Sequence, residues 1–321
     1  MYSGSLMVNI PCRRKSGSGN TRQSRQKIQL QDDVHIVLIT NAGMEMIIQI
    51  TDDYDLDKIA ESGQCFRWIK TALHTYRIIA GKSCLYITEL GDSRYELDCT
   101  EDEYNRFWLD YFDLREDYHL IRGRIDRESD RFLWQAAEYE KGIRILRQDP
   151  WEMLITSIIT QNRNIPAICR SVELLSQCCG EKKTDSKGAD YYAFPDPEAI
   201  AALSKDDLIA CKLGYRWKYV QAAADVIVRG ELDLPSLTGA DEESTIAALT
   251  RIFGVGEKVA NCVSLFGLHH IDAFPVDVWI NRILDQEYPD GYPFEKYSPY
   301  NGIYQQYMFA YYRHRDKDMM S

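Results

Sequence analysis

The periodicity of the apolar residues changes near residue 100, and this change limits the folds open to the chain. Three short runs rich in β-branched and aromatic residues, Tyr76–Ala80, Cys84–Thr88 and Arg94–Asp98, are separated by glycine-containing turns. That pattern predicts an antiparallel meander. After Glu101 the aromatic residues recur at helical spacing instead. The sequence therefore predicts an α+β fold, in which a strand-rich domain precedes a helical one.

Residues that start and stop helices mark the second part of the chain. Asp149 is an acidic N-cap candidate before Pro150, and apolar residues follow on one helix face. A longer helix is predicted over Ile165–Cys179, with Gly180 as its stop. Further helices are predicted from Pro197 and over Lys205–Leu213, Tyr215–Arg229 and Glu257–Phe266. We expect a strand-rich domain over residues 46–148 and an all-helical domain over residues 149–321.

The N-terminal segment has a different composition from the rest of the chain. Residues 1–30 carry six basic residues, no acidic residue and a Ser/Gly-rich run. Such a composition cannot bury enough apolar surface to order itself. We predict that residues 1–45 are a disordered basic extension or a spurious upstream reading frame, with Met44 or Met46 as the physiological start. The alternative is a basic arm that binds nucleic acid.

Composition narrows the class of protein. Apolar residues make up 45% of the chain and aromatic residues 12%, which is enough for one or two ordinary cores. No apolar run is long enough for a membrane-spanning helix, and no signal peptide is visible. The nine cysteines are scattered without a C-x-x-C pair, which argues against a disulfide framework or a metal site. We expect a soluble cytoplasmic protein without a cofactor.

A glycine turn between two short helices is the first functional motif. Apolar residues over 246–252 predict a helix, Phe253–Gly256 a tight turn, and Glu257 the start of a second helix. In such a helix-hairpin-helix, Gly254, Val255 and Gly256 would present backbone N–H groups to a DNA phosphate at the N-terminus of the second helix. The alternative is an ordinary corner between two helices.

A lysine and an aspartate follow this turn. Lys258 lies in the first turn of the second helix, and Asp277 stands in the segment Phe274–Val278 at the start of another helix. This arrangement resembles the helix-hairpin-helix base-excision DNA glycosylases. The resemblance implies that Lys258 is a catalytic nucleophile and that Asp277 assists it. Taken singly, Lys258 could instead contact a phosphate and Asp277 could cap a helix.

Further segments resemble the 8-oxoguanine DNA glycosylases in particular. The run Ser62–Trp68 looks like the loop of that family in which the carbonyl of a glycine, here Gly63, accepts a hydrogen bond from N7–H of the damaged base. By the same resemblance, Cys262 and Phe309 would pack on the two faces of the base. Gln305 would read its Watson–Crick edge. Undamaged guanine has a lone pair at N7, so such a site would reject it.

This resemblance extends from about Ile47 to about His314 and implies both fold and function. The implied fold is an antiparallel sheet domain like that of the TATA-binding protein, followed by an all-α helix-hairpin-helix glycosylase domain. The implied activity is that of a bifunctional glycosylase and AP lyase, which acts through a lysine Schiff base without a cofactor. Its partner would be duplex DNA containing 8-oxoguanine. We expect a monomer associated with a bacterial nucleoid.

Two more segments match the elements that separate the DNA strands in this family. The resemblance implies that Asn162 fills the space left by the extruded base, that Tyr215 wedges beside the orphaned base, and that Arg216 bonds its edge. Two positions depart from the eukaryotic pattern: Ala167 replaces a second arginine and Trp279 replaces a histidine. These departures predict a relaxed requirement for cytosine opposite the lesion and favour a bacterial-type branch.

Two other functions remain open at this stage. An alkylbase glycosylase shares the fold and the aspartate but normally lacks the lysine. A non-catalytic DNA-binding module would use the hairpin only as a phosphate clamp. An endonuclease III-like enzyme is disfavoured, because its iron–sulfur loop needs four cysteines after the hairpin domain and no cysteine follows Cys262.

Overall fold

The computed structural model describes the backbone of residues 27–30, 36–40 and 46–320, and the side chains of residues 46–315. Its first part is a seven-stranded antiparallel sheet with the strand order β1-β2-β3-β7-β6-β5-β4. A two-stranded sheet, β8-β9, lies later in the chain. The strands are β1 (Lys27–Leu30), β2 (Ile36–Thr40), β3 (Met46–Ile50), β4 (Trp68–Ala72), β5 (Thr75–Ala80), β6 (Ser83–Gly91), β7 (Arg94–Leu97), β8 (Lys182–Thr184) and β9 (Asp190–Tyr192).

Helices dominate the remainder of the described chain. The α-helices are α1 (Leu56–Glu61), α2 (Glu101–Glu103), α3 (Leu109–Tyr111), α4 (Tyr118–Gly123), α5 (Arg131–Tyr139), α6 (Pro150–Thr160), α7 (Ile165–Cys179), α8 (Pro197–Ala201), α9 (Lys205–Ala210), α10 (Trp217–Val228), α11 (Glu242–Leu249), α12 (Glu257–Phe266), α13 (Val278–Glu287), α14 (Phe294–Tyr297) and α15 (Asn301–Met320). A π-helical turn, Tyr104–Trp108, joins α2 to α3, and 3₁₀ helices span Gly214–Arg216 and Pro235–Gly239. The predicted α+β fold, a sheet followed by helices, is confirmed.

One face of the sheet is apolar and covered. Burial alternates along β3, so that Met46, Ile48 and Ile50 lie in the core, as the two-residue period of a strand requires. Helix α1 and the aromatic helix predicted after Glu101 cover this face, and Trp108 is fully buried there. The aromatic stripe is therefore core rather than a ligand site.

Two strands of the sheet lie within residues 1–45, for which disorder stays a prediction. Strand β2 pairs with β3, with Ile36 opposite Ile50, and β1 pairs with β2. The β-branched sequence of β2 suits a strand, and it completes the hydrogen bonds of an otherwise open sheet edge. Residues 1–26, 31–35 and 41–45, including the suggested start at Met44, lie outside the described residues.

The predicted helix boundaries mostly agree with the structure. Helices α7 and α12 have the predicted limits, and Asp149 caps α6 by accepting a bond from the Glu152 N–H at 2.8 Å. Helix α9 ends earlier than predicted because Lys212 takes a left-handed conformation, with φ 58°. Tyr215 lies in a 3₁₀ turn, and α10 begins only at Trp217.

Helix α12 lies between two apolar clusters. Val259 and Val263 pack with the residues of α6, α7, α10 and α11, whereas Leu265 and Phe266 pack with α5, α13 and α15. Helices α4 and α5 belong to this second cluster although they precede the predicted boundary at residue 148. The predicted domain limits stay a prediction.

Two kinds of site are not found among the residues that the structure describes. None of their helices is long and apolar enough to cross a membrane. No group of three or more His, Cys, Asp or Glu side chains among them is placed to hold a metal ion.

Gly302 brings α15 close to the end of α12. A Cβ at this position would lie 2.5 Å from the carbonyl oxygen of Ala273 and 2.5 Å from Cδ1 of Leu265. The Gly302 N–H also donates to the carbonyl of Ile271 at 2.8 Å. Only glycine permits this approach, and it sets the position of the helix that carries Gln305 and Phe309.

We expect Gly302→Ala to lower the free energy of unfolding by about 1–3 kcal/mol, because the added methyl group overpacks this contact. Urea unfolding measures the effect. Gly239→Ala is the matched control, since a Cβ there meets no atom within 4 Å. Equal unfolding midpoints for the two variants would contradict the packing argument.

Candidate active site and nucleic-acid interface

A small cleft of about 60 Å³ lies between α12, the start of α13, the helix α15 and the loop after α1. It contains both residues predicted to be catalytic and all four predicted to bind the base. The fold thus brings three distant segments of the chain to one cleft. The lining residues are Ser62, Gly63, Lys258, Cys262, Phe266, Pro275, Asp277, Gln305, Gln306 and Phe309.

Lys258 and Cys262 stand one turn apart on α12. Lys258 is half-buried and Cys262 is 8% exposed. Burial raises the pKa of the Cys262 thiol, while the charge of Lys258 and a hydrogen bond with it act in the opposite direction. The nearby carboxylate of Asp277 adds to the rise in the thiol pKa. The amine, the thiol and the carboxylate therefore lie within electrostatic reach of one another.

Asp277 caps helix α13. Its Oδ1 accepts hydrogen bonds from the N–H groups of Trp279 and Ile280, both at 2.9 Å. The predicted alternative, a structural cap, is therefore present, yet the same side chain lines the cleft. The cap fixes the carboxylate within the cleft that Lys258 also lines.

Gln305 has a buried carbonyl oxygen with no partner. Its Nε2 donates to the carbonyl of Pro275 at 2.9 Å, which fixes the orientation of the amide. Its Oε1 has no hydrogen-bond partner among the described residues, and the residue is only 4% exposed. An unmet buried acceptor costs about 1–3 kcal/mol. The amide is thus arranged to accept a hydrogen bond from a ligand.

The loop that carries Gly63 is held from both sides. Gln306 Nε2 donates to the carbonyl of Ser62 at 2.6 Å, and Gln64 Nε2 donates to the carbonyl of Arg144 at 2.8 Å. Gly63 has φ 86°, a conformation that favours glycine. A Cβ on it would lie 3.4 Å from Cε1 of Phe309. The loop therefore approaches the phenyl ring closely enough to narrow the cleft.

The glycine hairpin forms as predicted between α11 and α12. Gly254 has φ 88°, and a Cβ on it would lie only 2.1 Å from Cγ of Tyr219. Gly256 is the exposed N-cap of α12 and provides no side-chain cap, so the first N–H groups of the helix remain open to an external acceptor. Val255 is buried and anchors the turn.

The predicted strand-separating residues lie on the same side of the molecule as the hairpin. Asn162 is exposed with φ 49°, and the neighbouring Gln161 donates from Nε2 to the Gly254 carbonyl at 3.1 Å. Tyr215 is 51% exposed, and its ring lies 5.9 Å from that of Tyr219. The structure thus joins the Asn162 loop and Tyr215 to the hairpin, an arrangement that the sequence could not specify.

Comparison with known proteins identifies the family. Residues 46–154 match the family described as 8-oxoguanine DNA glycosylase, N-terminal domain, and residues 155–289 match the HhH-GPD superfamily of base excision DNA repair proteins. The N-glycosylase/DNA lyase of Saccharomyces cerevisiae is 30% identical over 257 residues, which cover 73% of this chain and 68% of the yeast protein. The chain belongs to the 8-oxoguanine DNA glycosylases.

Other relatives of the glycosylase are similar over most of their length. The 8-oxoguanine glycosylase/lyase of Clostridium acetobutylicum, solved with DNA containing cytosine opposite 8-oxoguanine, is 31% identical with a TM-score of 0.80, over 90% of this chain and 98% of that one. A probable N-glycosylase/DNA lyase of Methanothermobacter thermautotrophicus is 28% identical, over 74% of this chain and 83% of that protein.

Arg216 of the glycosylase is bonded to the protein itself. The residue is 5% exposed, and burial lowers the pKa of its guanidinium. Its Nε donates to the carbonyl of Gln161 at 2.7 Å and its Nη2 to that of Asn162 at 3.1 Å, while Nη1 donates to that of Leu213 at 3.3 Å. In this structure Arg216 therefore clamps the Asn162 loop. The predicted contact with an orphaned base stays a prediction.

The two departures from the family pattern lie at opposite ends of the site. Ala167 is half-buried in the first turn of α7, where its N–H donates to Asn164 Oδ1 at 3.0 Å. Trp279 packs against Tyr312 with ring centres 6.2 Å apart, and Arg282 lies over the indole. Ala167 therefore offers no side-chain hydrogen bond at its position, and Trp279 is held in an aromatic contact.

The residues that hold the walls of the cleft in place are not among those predicted from the sequence. Gln306 and Gln64 hold the Gly63 loop, and Arg313 stacks on Phe309 beside Gly63. Gln306 adjoins the predicted Gln305, so its position was a signal. The partners of Gln64 and Arg313 depend on contacts between distant segments, which the sequence pattern does not contain.

We expect Arg216→Ala to lower the free energy of unfolding by roughly 1–3 kcal/mol, because buried carbonyls of the Asn162 loop lose their donors. Thermal unfolding and hydrogen exchange over residues 161–164 measure this effect without DNA. Tyr215→Ala is the control, since its exposed ring is expected to contribute less than about 0.5 kcal/mol. Similar stability for the two variants would refute the clamp.

Proposed function

We propose that this 8-oxoguanine DNA glycosylase extrudes the damaged base from duplex DNA and cleaves its glycosidic bond through a Schiff base on Lys258. The lyase step then nicks the strand by β-elimination. The observation that carries the proposal is a single cleft holding the amine of Lys258, the carboxylate of Asp277 and the unpartnered amide oxygen of Gln305. The names of the yeast and archaeal relatives, N-glycosylase/DNA lyase, support the same reaction.

The orientation of Gln305 favours a guanine-type base. One N–H of its NH₂ group donates to the Pro275 carbonyl, and Oε1, which has no partner among the described residues, is open to a ligand as an acceptor. Guanine and 8-oxoguanine present N–H donors at N1 and N2 on the Watson–Crick edge, whereas adenine presents an acceptor at N1. An adenine-type edge would therefore leave two acceptors facing each other in a buried place. This supports recognition of a guanine derivative.

The narrow cleft suits a planar base held between two apolar faces. In the proposed complex Cys262 packs on one face and Phe309 on the other, while the carbonyl of Gly63 accepts from N7–H. The neutral thiol follows from the raised pKa of Cys262. Undamaged guanine has no hydrogen on N7 and loses this bond.

The covalent step needs an unprotonated amine. The Nζ lone pair of Lys258 bonds to C1′ of the deoxyribose, and the electrons of the glycosidic bond leave with the base, which takes up a proton. Asp277 stabilises the positive charge that develops on the sugar. Ring opening gives an imine, loss of a C2′ proton expels the 3′ phosphate, and water hydrolyses the imine to restore the lysine.

The hairpin and the Asn162 loop form the proposed DNA surface. The open N–H groups after Gly256 and the helix dipole of α12 favour a phosphate. Asn162 and Tyr215, both exposed beside the hairpin, are placed to fill the gap in the base stack and to wedge beside the orphaned base. Action as a monomer stays a prediction.

Borohydride trapping tests the Schiff base. With an 8-oxoguanine duplex, wild-type protein should become covalently joined to DNA, because borohydride reduces the imine to an amine. Lys258→Gln should still bind this duplex, give no adduct and lower the excision rate by at least about a hundredfold. Lys182→Gln, which removes a distant exposed lysine paired with Asp190, should behave as wild type. Substantial excision by Lys258→Gln would refute the mechanism.

Borohydride trapping, combined with excision rates on duplexes that contain 8-oxoguanine or 3-methyladenine, separates the two alternative functions. An alkylbase glycosylase would excise 3-methyladenine faster than 8-oxoguanine and form no adduct. A non-catalytic module would bind all duplexes and excise nothing.

The base opposite the lesion provides a second test. We expect excision opposite all four bases with a shallow ranking, because Ala167 offers no hydrogen bond and Arg216 is bonded to the Asn162 loop. Ala167→Arg should steepen the preference for cytosine by about tenfold, the worth of one base-edge contact. Single-turnover rates opposite C, T, G and A measure it.

Ala167→Met controls for the length of the new side chain without its donors. It should leave the ranking shallow. Wild-type protein that is active almost solely opposite cytosine would show that the relaxed specificity inferred from Ala167 is wrong.

A further inference from the structure

Arg313 lies at the outer edge of the base cleft. It stands one turn beyond Phe309 on α15, and the central carbon of its guanidinium is 5.2 Å from the centre of the phenyl ring. Its Nη1 is 3.4 Å from the place that a Cβ on Gly63 would occupy. The side chain does not line the cleft itself. It therefore lies outside the cleft, next to Phe309 and Gly63, which form two of its walls.

The guanidinium of Arg313 is half-buried and has no hydrogen bond or ion pair with any residue whose side chain is described. Burial lowers the pKa of this guanidinium, and the negative charges of Asp277, Glu61 and Glu140 act more weakly in the opposite direction. None of these carboxylates forms an ion pair with it, and Glu140 instead bonds His314 at 2.6 Å.

Other buried arginines of the same protein are paired. Arg122 bonds Asp53 at 2.7 Å, and Arg144 bonds Asp52 at 2.8 Å. A half-buried charge without a partner is costly, because water no longer solvates it fully. Arg313 thus differs from the structural arginines in a way that points to an anion absent from the free protein.

We propose that Arg313 binds a backbone phosphate next to the extruded nucleotide. This inference rests on the proposed function, in which Asp277 faces C1′ of that nucleotide. The guanidinium stacks on Phe309, which lines the same cleft as Asp277, so in the proposed complex the sugar and its phosphates pass close to it. Its planar fork matches phosphate oxygens, and stacking on Phe309 fixes its orientation in advance.

The contact has a consequence for specificity. A phosphate reaches Arg313 only when its nucleotide has left the helix and the sugar lies against Lys258 and Asp277. The interaction therefore stabilises the extruded state relative to stacked DNA. It does not depend on the identity of the base, because Arg313 lies outside the slot.

A duplex with a tetrahydrofuran abasic-site analogue tests this contact, since it keeps the phosphates, lacks the base and cannot be excised. Arg313→Gln should weaken its binding by about tenfold at low salt, the loss of one charge-assisted bond. The slope of log K against log salt should fall by roughly 0.9, which corresponds to one phosphate contact. Fluorescence anisotropy over a salt series measures both quantities.

Two further variants complete the design. Arg313→Lys keeps the charge and should retain the salt slope. Arg315→Gln removes a charge two residues along the same helix, one that pairs with Glu287 at 3.9 Å, and should change neither the slope nor the affinity. Thermal unfolding of each variant establishes that it is folded.

Two outcomes would overturn the proposal. If Arg313→Gln binds the abasic duplex as wild type does but excises 8-oxoguanine slowly, Arg313 positions Phe309 or contacts the base. If it loses affinity equally for undamaged duplex, the contact is not specific to the extruded state. Neither outcome depends on the imine, so failure of this inference and failure of the Lys258 mechanism give different results.

Discussion

Burial of α12 on two sides is the constraint on which the other parts of the site depend. Val263 faces the cluster around α6 and α10, while Leu265 faces the cluster around α13 and α15. A helix held between two close-packed cores cannot shift without opening a cavity in one of them. Its free N-terminus therefore has a fixed place, and Lys258, the glycine hairpin and the base cleft are built around that end.

Polar groups at the cleft divide into those that are satisfied and those that are not. Gln64, Gln306 and Asp277 form hydrogen bonds within the protein, and these bonds fix the backbone around the cleft. Gln305 Oε1 and the guanidinium of Arg313 have no such partners among the described residues. Unmet polar groups cost stability in the free protein, and a ligand that supplies their partners recovers that energy. The walls of the cleft are therefore held by hydrogen bonds within the protein, whereas Gln305 Oε1 and Arg313 are left for a ligand to satisfy.

On the surface beside the hairpin, Arg216 stabilises the protein backbone itself. Arg216 and Gln161 link the Asn162 loop to the 3₁₀ turn and to the Gly254 carbonyl. These bonds place Asn162 and Tyr215 together in the absence of DNA. A base that contacts Arg216 must compete with the carbonyls that Arg216 already bonds. Discrimination between opposite bases would therefore depend on the difference in free energy between hydrogen bonds to the base and hydrogen bonds to these carbonyls.

The sequence by itself determined most of the elements and indicated the candidate reacting groups. Periodicity and capping residues gave the sheet, the helix α7 and the helix α12, because these signals are local. The resemblance of the hairpin motif to the glycosylases indicated Lys258 and Asp277 as candidates. Tertiary structure alone decided that β2 joins the sheet, that Arg216 is buried as a clamp, and that Arg313 stacks on Phe309 without an ion pair to any described side chain. Each of these features is a contact, or a missing contact, between segments that are distant in the sequence. Local residue patterns do not specify such contacts.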